Sequence, residues 1–382
     1  MQLPHATVLI DATAVPANRA GVGRYVDELL AAFDHEVFIA CRAEDAAHYK
    51  NLAPRALVLP QPGIGRTWRR LLWEQLTLPG VARRAGAQVI HSPHYTLPLF
   101  THRRRVVTFH DATFFSDPAV HTRIKRAFFR SWIRLSGRLA DAIIVPSKAT
   151  GTELARYTSR AADSYVVVYH GVDRSVFHPP TSSEVVATAV ELGLGNAPWI
   201  AFLGTIEPRK NIPELLAAYS SLAAQWDVEW GELPTLVLAG GDGWGADIMP
   251  DVDRVEAPGR VLRVGYIDAA LVHAYLGGAL FVVYPSLGEG FGLPVLEAMS
   301  SGVPVLTTPR LALPEVGGGA VAYSEPDARS LTMAMRDLAA NAGERTRLVA
   351  LGMERASLFT WQASASSHAD VYDHVALRTP QR

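Results

Sequence analysis

Cysteine is all but missing from this chain: Cys41 stands alone among 382 residues. One thiol closes no intrachain disulfide and makes a poor start for a thiolate metal site, so Cys41 reads as a small buried hydrophobe. Long apolar runs are missing too. No stretch approaches the roughly 18 residues that a membrane-crossing helix needs. The opening MQLPHATVLIDATAV has no basic leader and reaches Asp11 before a long apolar core develops. It reads as a first strand rather than an export signal. No spacing of His, Asp and Glu matches a zinc site, and no aromatic-basic platform accompanies the arginines, which argues against nucleic acid. The glycines of LAGGDGWG, Leu238 to Gly245, miss the GxGxxG spacing of a dinucleotide fingerprint. No clear ribose-binding acid follows about 20 residues on, which disfavours a nicotinamide-dependent dehydrogenase. These absences point to a reducing, cytoplasmic setting, with no metal and no cofactor expected.

What is present is length, alternation and an uneven charge. A chain of 382 residues exceeds one ordinary core, so two domains of similar size are the natural division. VLIDATAV, EVFIA, ALVLP, AQVIHSP, RVVTFHD, AIIVPS and SYVVVYHG read as strands with helical patterns between several of them. The proline-rich FHPPTSS, Phe177 to Ser183, suits a linker. A second series follows in PWIAFLGT, TLVLAGG, RVLRVGY, LFVVYPS and VPVLTT. Alternation of this kind predicts an α/β fold with two Rossmann-like parallel-sheet domains. The expected boundaries are 1–178, 179–360 and a final helical segment at 361–382. Residues 1–178 hold 23 Lys plus Arg against 14 acids, a net of +9, while the remainder holds 13 against 23, a net of -10. Six of the cations fall in HTRIKRAFFRSWIRLSGR, His121 to Arg138, which has no acid. It reads as an amphipathic helix with Ile124, Phe128, Trp132 and Leu135 as its apolar stripe. An anionic membrane surface or a domain core would equally receive that stripe.

The segment YPSLGEGFGLPVLEAMSSGVPV, Tyr284 to Val305, places two acids around one helix start. Pro294 fits the first helical position and Gly302 the left-handed cap after the last turn, giving a short helix of about Pro294 to Ser301. Glu289 projects from the glycine loop and Glu297 from the first turn. Free amides and the positive end of the helix dipole favour an anion, and glycines let it approach the main chain. Carboxylates beside an anion site suit hydroxyl donors, as in a phosphorylated sugar or nucleotide. A second motif, FLGTIEPRKNIPELLAAY, runs from Phe202 to Tyr219. Its strand ends at Gly204, and Arg209 and Lys210 sit in the loop before the next helix. In an open parallel sheet such a loop lies at the carboxyl edge, where ligands bind, and two cations there suit a diphosphate. In the first half, GVGRY at Gly21 to Tyr25 could hold an anion at a helix start. His110 ends the strand RVVTFH, with Asp111 placed to orient its imidazole.

Taken with LPEVGG from Leu313, HSPHYTLPL from His91, FHDATFF from Phe109 and YHGVD from Tyr169, these motifs resemble the retaining glycosyltransferases of family 4, of GT-B fold, over nearly the whole chain. The resemblance implies two Rossmann-like domains facing a cleft and a final helix crossing back to the first. It implies that Arg209 and Lys210 bind a donor diphosphate, that Glu297 binds the ribose, and that Glu289, Gly290, Phe291 and Gly292 bind the transferred sugar, with Gly204 and Leu293 bordering them. Tyr266 and Ile267, within VGYI, would lie beside the base, while Gly23 and His110 would face the donor from the other domain. Gly288, where an aromatic is common, and GGGA at Gly317 to Ala320, which lacks a frequent aspartate, depart from the pattern near the sugar. The expected reaction is metal-independent hexosyl transfer with retention, GDP-mannose being the favoured donor and a glycan or lipid-linked saccharide the acceptor, with possible peripheral membrane contact. A UDP-sugar donor, or a nucleotide-sugar-binding regulator without transfer, is the alternative.

Overall fold

The computed structural model describes residues 5–15, 19, 21–116, 122–243 and 249–377. Two compact units result: one runs to Gly171 and resumes at Thr360, and the other spans Val172–Phe359.

In the first unit the strands are β1 (Val8–Asp11), β2 (Phe38–Arg42), β3 (Leu57–Gln61), β4 (Val89–Ser92), β5 (Arg104–Thr108), β6 (Ala142–Val145) and β7 (Val166–Val167). They pair in parallel in the order β3-β2-β1-β4-β5-β6-β7. Strands covered on both faces read as unbroken apolar runs, and β1, β4 and β6 are buried throughout. Helices α1 (Val22–Ala32), α2 (Thr67–Leu76) and α3 (Arg123–Leu139) connect them. The basic helix is α3, and its buried face is one position off the expected stripe. Ile133, Ser136 and Gly137 are buried and Phe129 packs on the core, whereas Ile124 is 84% exposed and Phe128, Trp132 and Leu135 are half-buried. Ser136 and Gly137 face inward because both are small: Ser136 Oγ donates to the Tyr95 carbonyl at 2.8 Å, and Gly137 lies against Thr158. His121 lies outside the described residues.

The second sheet holds β8 (Trp199–Leu203), β9 (Thr235–Ala239), β10 (Val261–Gly265), β11 (Phe281–Tyr284), β12 (Val305–Thr307) and β13 (Ala322–Tyr323), parallel in the order β10-β9-β8-β11-β12-β13. The α/β class with two parallel sheets is as expected; β13, two residues long, is too short to show in the sequence. Helices α4 (Ile212–Ala224) and α5 (Leu293–Ser300) follow β8 and β11. The division at Gly171 falls before the proline-rich stretch, which belongs to the second unit: Phe177 is buried, and its carbonyl accepts the Ser300 hydroxyl at 2.6 Å.

The last helix, α6 (Trp361–Leu377), packs on α1, β4 and β5 of the first unit. A Cβ on Gly171 would stand 2.2 Å from the Trp361 nitrogen, so only glycine lets the chain pass the start of α6.

Candidate functional site

Both sheets reverse their strand order once, between β1 and β4 and between β8 and β11. Such switch points are where open α/β sheets leave a crevice at the strands' carboxyl ends. In the second unit the turn after β8 is a 3-10 turn over Pro208–Lys210, closed by Asn211 at φ 60°. Asn tolerates that left-handed conformation better than most side chains, and Pro213 then fits the second position of α4. The segment after β11 carries Glu289. Because β8 and β11 are hydrogen-bonded neighbours, two segments about eighty residues apart meet.

There Glu289 takes both cations. Arg209 Nη1 donates to Glu289 Oε2 and, at 2.9 Å, to the Gly288 carbonyl, while Nη2 donates to Glu207 Oε1 at 2.6 Å. Lys210 Nζ donates to Glu289 Oε1 at 2.6 Å and to the Tyr284 hydroxyl. That hydroxyl in turn donates to Glu289 Oε1 at 2.8 Å, and Ser286 Oγ donates to the same oxygen at 2.7 Å. The Lys210 ammonium lies 4.8 Å from the Tyr284 ring centroid, a cation-π contact. Burial disfavours the Glu289 charge, yet Arg209 and Lys210 outweigh it and hold the carboxyl well below its ordinary range. Burial also opposes the Arg209 charge, and Glu289 reverses the effect, raising that group. For Lys210 burial prevails over Glu289, and its value falls below the ordinary one. Tyr284 is raised, first by burial and then by Glu289, and so stays a hydroxyl. The result is an ionised, well-donated cluster with Arg209 at its open side, its side chain 22% exposed.

Sequence reasoning nominated Arg209, Lys210 and Glu289 but missed Glu207, Tyr284 and Ser286. A hydroxyl-bearing residue at the end of FVVY, directly before Pro285, was the available signal for Tyr284. Gly204 borders the cluster: a Cβ there would lie 3.7 Å from Lys210 Cε. Gly240 and Gly265 end the next two strands, with Gly204 N donating to the Ala239 carbonyl at 2.9 Å and Gly240 N to Gly265 at 2.7 Å. A Cβ on Gly240, at φ 137°, would sit 2.0 Å from the Gly204 carbonyl oxygen, so the strand ends form a side-chain-free shelf. Tyr266, 75% exposed, and Ile267, buried, lie at the end of β10, two strands from β8. Gly292 caps α5 at φ 107°, which makes Leu293 and Pro294 its first two residues and puts Glu297 in the second turn rather than the first. Glu297 and Phe291 are buried, and Gly290 precedes them in the same loop. At Gly288 a side chain would meet Leu311 Cδ1 at 2.6 Å, so Leu311 fills the space an aromatic would need.

Gly23 and His110 belong to the first unit. Gly23 is the second residue of α1, with Arg19 and Val15 packed against its α-carbon. Asp111 does not orient His110: it accepts the Tyr95 hydroxyl at 3.1 Å and the Thr113 hydroxyl at 2.8 Å, while His110 Nε2 donates to the Pro93 carbonyl at 2.7 Å. That leaves Nδ1 as an acceptor. Burial lowers the imidazole, against the Pro93 bond and Asp111, and favours its neutral form.

Against His110 packs Tyr25, edge to face at 5.0 Å, the start of a network that sequence reasoning did not find. His368 Nδ1 lies 2.8 Å from the Ser364 carbonyl, which can only accept, so Nε2 is the acceptor for the Tyr25 hydroxyl at 2.7 Å. Tyr25 then accepts from Thr108 Oγ1 at 3.1 Å, and Thr108 from His91 Nε2 at 2.9 Å; His91 Nδ1 accepts from Tyr372 at 2.8 Å. Each group donates once, and every imidazole is neutral. Burial is the main cause, lowering His368 to about 4 and His91 well below its ordinary value.

Two doubly wound sheets, with a charged cluster at the switch point of one, are the architecture of a GT-B protein. Residues 19–176 match the model of Glycosyltransferase Family 4, and residues 197–341 that of Glycosyl transferases group 1. O-antigen chain mannosyltransferase B of Escherichia coli is 31% identical over 289 residues, covering 74% of this chain and 74% of that protein. Among solved structures, Anabaena HepE in complex with UDP-glucose superposes with a TM-score of 0.76 at 17% identity over 96% of this chain and 99% of that one. Sucrose-phosphate synthase from Thermosynechococcus elongatus gives 0.74 at 21% over 97% and 99%. The two structures show the shared fold. The chain belongs to glycosyltransferase family 4, and its relatives include O-antigen chain mannosyltransferases.

Proposed function

We propose that the protein transfers a mannosyl group from GDP-mannose to a glycan or lipid-linked saccharide, with retained anomeric configuration. The observation that carries this reading is the convergence of Arg209 and Lys210 with Glu289 at the β8/β11 switch point. In it the diphosphate meets Arg209, Lys210 and the amides opening α5, while Glu289 and the Gly290–Gly292 loop take sugar hydroxyls and Glu297 the ribose. Tyr266 and Ile267 flank the base. As the bond from the anomeric carbon to phosphate breaks, negative charge gathers on the leaving phosphate, where preorganised cations stabilise it without an obligatory divalent ion. The acceptor oxygen bonds to the same face of the carbon, and its proton passes to the departing phosphate. His110, through Nδ1, accepts a hydrogen bond from a hydroxyl, and the first unit serves the acceptor.

Mannose is favoured because mannosyltransferases stand among the relatives. A UDP-sugar is the second reading, since HepE, a protein of this fold, binds UDP-glucose. Thermal stabilisation by GDP-mannose against UDP-glucose decides between them, because a ligand that binds only the folded state raises the melting temperature. The reading places the enzyme in the cytoplasm, at the inner face of the membrane when the acceptor is lipid-linked. No helix of the described residues is long and apolar enough to cross a bilayer.

The test of transfer is release of nucleoside diphosphate with a mixed saccharide acceptor pool, in the presence of a chelator. Arg209→Ala and Lys210→Ala should each lower turnover by roughly two to three orders of magnitude, as loss of one preorganised oxyanion donor does. Near-normal turnover in both refutes the role.

A further inference from the structure

Beside the ionised cluster of the second unit a leucine stands in a strained backbone. Leu311, in the turn between β12 and the short helix Leu313–Gly317, has φ 46°. The left-handed region sets Cβ too close to the following carbonyl oxygen, a cost that glycine avoids and asparagine tolerates. Burial offsets little of it, because Leu311 is 44% exposed. The surroundings fix it there nonetheless. Thr308 Oγ1 donates to the Ser286 carbonyl at 2.6 Å and Ala312 N to the Glu289 carbonyl at 3.4 Å, which ties the chain on both sides of Leu311 to the loop that carries Glu289. Leu313 extends the contact: a Cβ on Gly292 would stand 2.9 Å from its Cδ2. Between these ties the Leu311 side chain lies over Gly288, whose carbonyl accepts Arg209 Nη1. Leu287, 47% exposed, precedes Gly288, and its N donates to the Arg209 carbonyl at 2.9 Å. Two half-exposed leucines, one adjacent in sequence and one in space, thus flank Gly288 at the edge of a cluster built of ions and hydroxyls.

A backbone outlier persists only where its surroundings over-determine it, and such outliers gather at ligand clamps. An apolar side chain held rigidly against a polar site selects in two ways. It fills volume, so a larger substituent clashes. It also offers no hydrogen bond, so a charged group turned toward it gives up water without gaining a partner. We infer that Leu311 is a specificity-determining residue, a fixed apolar wall past which the site takes a neutral hexose by its carbon-hydrogen surface and rejects an acetamido or carboxyl sugar. The inference rests on the proposed reading that the Glu289 loop takes the transferred sugar, and adds which sugars that loop admits.

Calorimetric titration of the full chain tests it. The ligands form two series: GDP, GDP-mannose, its 2-acetamido analogue and GDP-mannuronate, and UDP, UDP-glucose, UDP-N-acetylglucosamine and UDP-glucuronate. In the series whose free nucleotide binds, the parent hexose should bind at least about tenfold more tightly than one of its two derivatives, as a misfit group in an apolar pocket requires. Leu311→Gly should narrow that gap to about threefold or less and leave the affinity for the free nucleoside diphosphate unchanged. Its melting temperature should not fall, since glycine adopts this φ without strain. Equal affinity for the parent and both derivatives overturns the inference, as does a gap that Leu311→Gly leaves intact. A variant that loses affinity equally for the nucleotide sugar and for the free nucleotide also overturns it, and marks Leu311 as structural alone. If the unaltered protein binds neither GDP nor UDP, the reading of the cluster as a diphosphate site fails and the inference with it.

Discussion

Both units bury ions at a switch point, Arg70 with Glu74 in the first and Arg209 and Lys210 with Glu289 in the second, but the first also buries a file of neutral groups beside its central strands. Tyr372, His91, Thr108, Tyr25 and His368 pass one hydrogen bond each along a single direction and fix α6 to the sheet. Nothing in that file attracts an anion. Arg209, Lys210, Glu207 and Glu289 form instead a cluster of held charges in which Lys210 is buried and Arg209 is partly open. Neutral, saturated networks hold a shape, while ionised ones hold a charge where a reaction will need it. The two clusters should therefore fail differently.

The largest difference is expected on removing a buried partner. Lys210→Met strips one cation from Glu289 and should lower unfolding stability by about 3 kcal/mol in a urea titration. Tyr25→Phe keeps the ring and removes one hydroxyl from the neutral file, so a smaller loss, about 1–2 kcal/mol, should follow. That loss should show as faster amide exchange in α6 while β8 and β11 stay protected.

Acid separates the clusters most finely. Buried His368 has a folded value of about 4 against an ordinary 6.5, so the unfolded chain binds more protons below 6.5. Its contribution is fully present above 6.5 and is lost as pH falls toward 4. From pH 6.5 to 5.5 that loss is about 1 kcal/mol, and His368→Asn should lack it. Glu289 is lowered from 4.5, so its contribution is intact across that interval and is lost only as pH falls below 4.5. Glu289→Gln should leave the slope between pH 6.5 and 5.5 unchanged and flatten it below 4.5. Melting temperatures over this range, each variant against the unaltered protein, measure both slopes.

Much of the fold was legible because strands buried on both faces are short apolar runs ended by Gly, Pro or polar residues. The site was legible only in pieces. Arg209, Lys210 and Glu289 could be named from their loops, but their mutual pairing depends on β8 lying beside β11, which no local pattern encodes. Tyr284 looked like the end of a strand. His368 is 343 residues from Tyr25, and His91 carried no sign of the hydroxyls that would meet it. In α3 two stripes one residue apart both have helical spacing, and hydropathy gives Ser136 and Gly137 too little weight to show that they mark the packed side. Asp111 was expected to orient His110 because it is adjacent, yet neighbouring residues leave a strand end in different directions.

Calorimetric titration of GDP and UDP into the unaltered protein and into the Arg209→Ala, Lys210→Ala double variant tests most directly whether the cations at the switch point grip a nucleoside diphosphate. One of the two nucleotides should bind, and the double variant should bind it at least about a hundredfold more weakly, as expected for losing two charge-assisted contacts. An affinity that the double substitution leaves unchanged, in a variant that remains folded, would contradict the assignment.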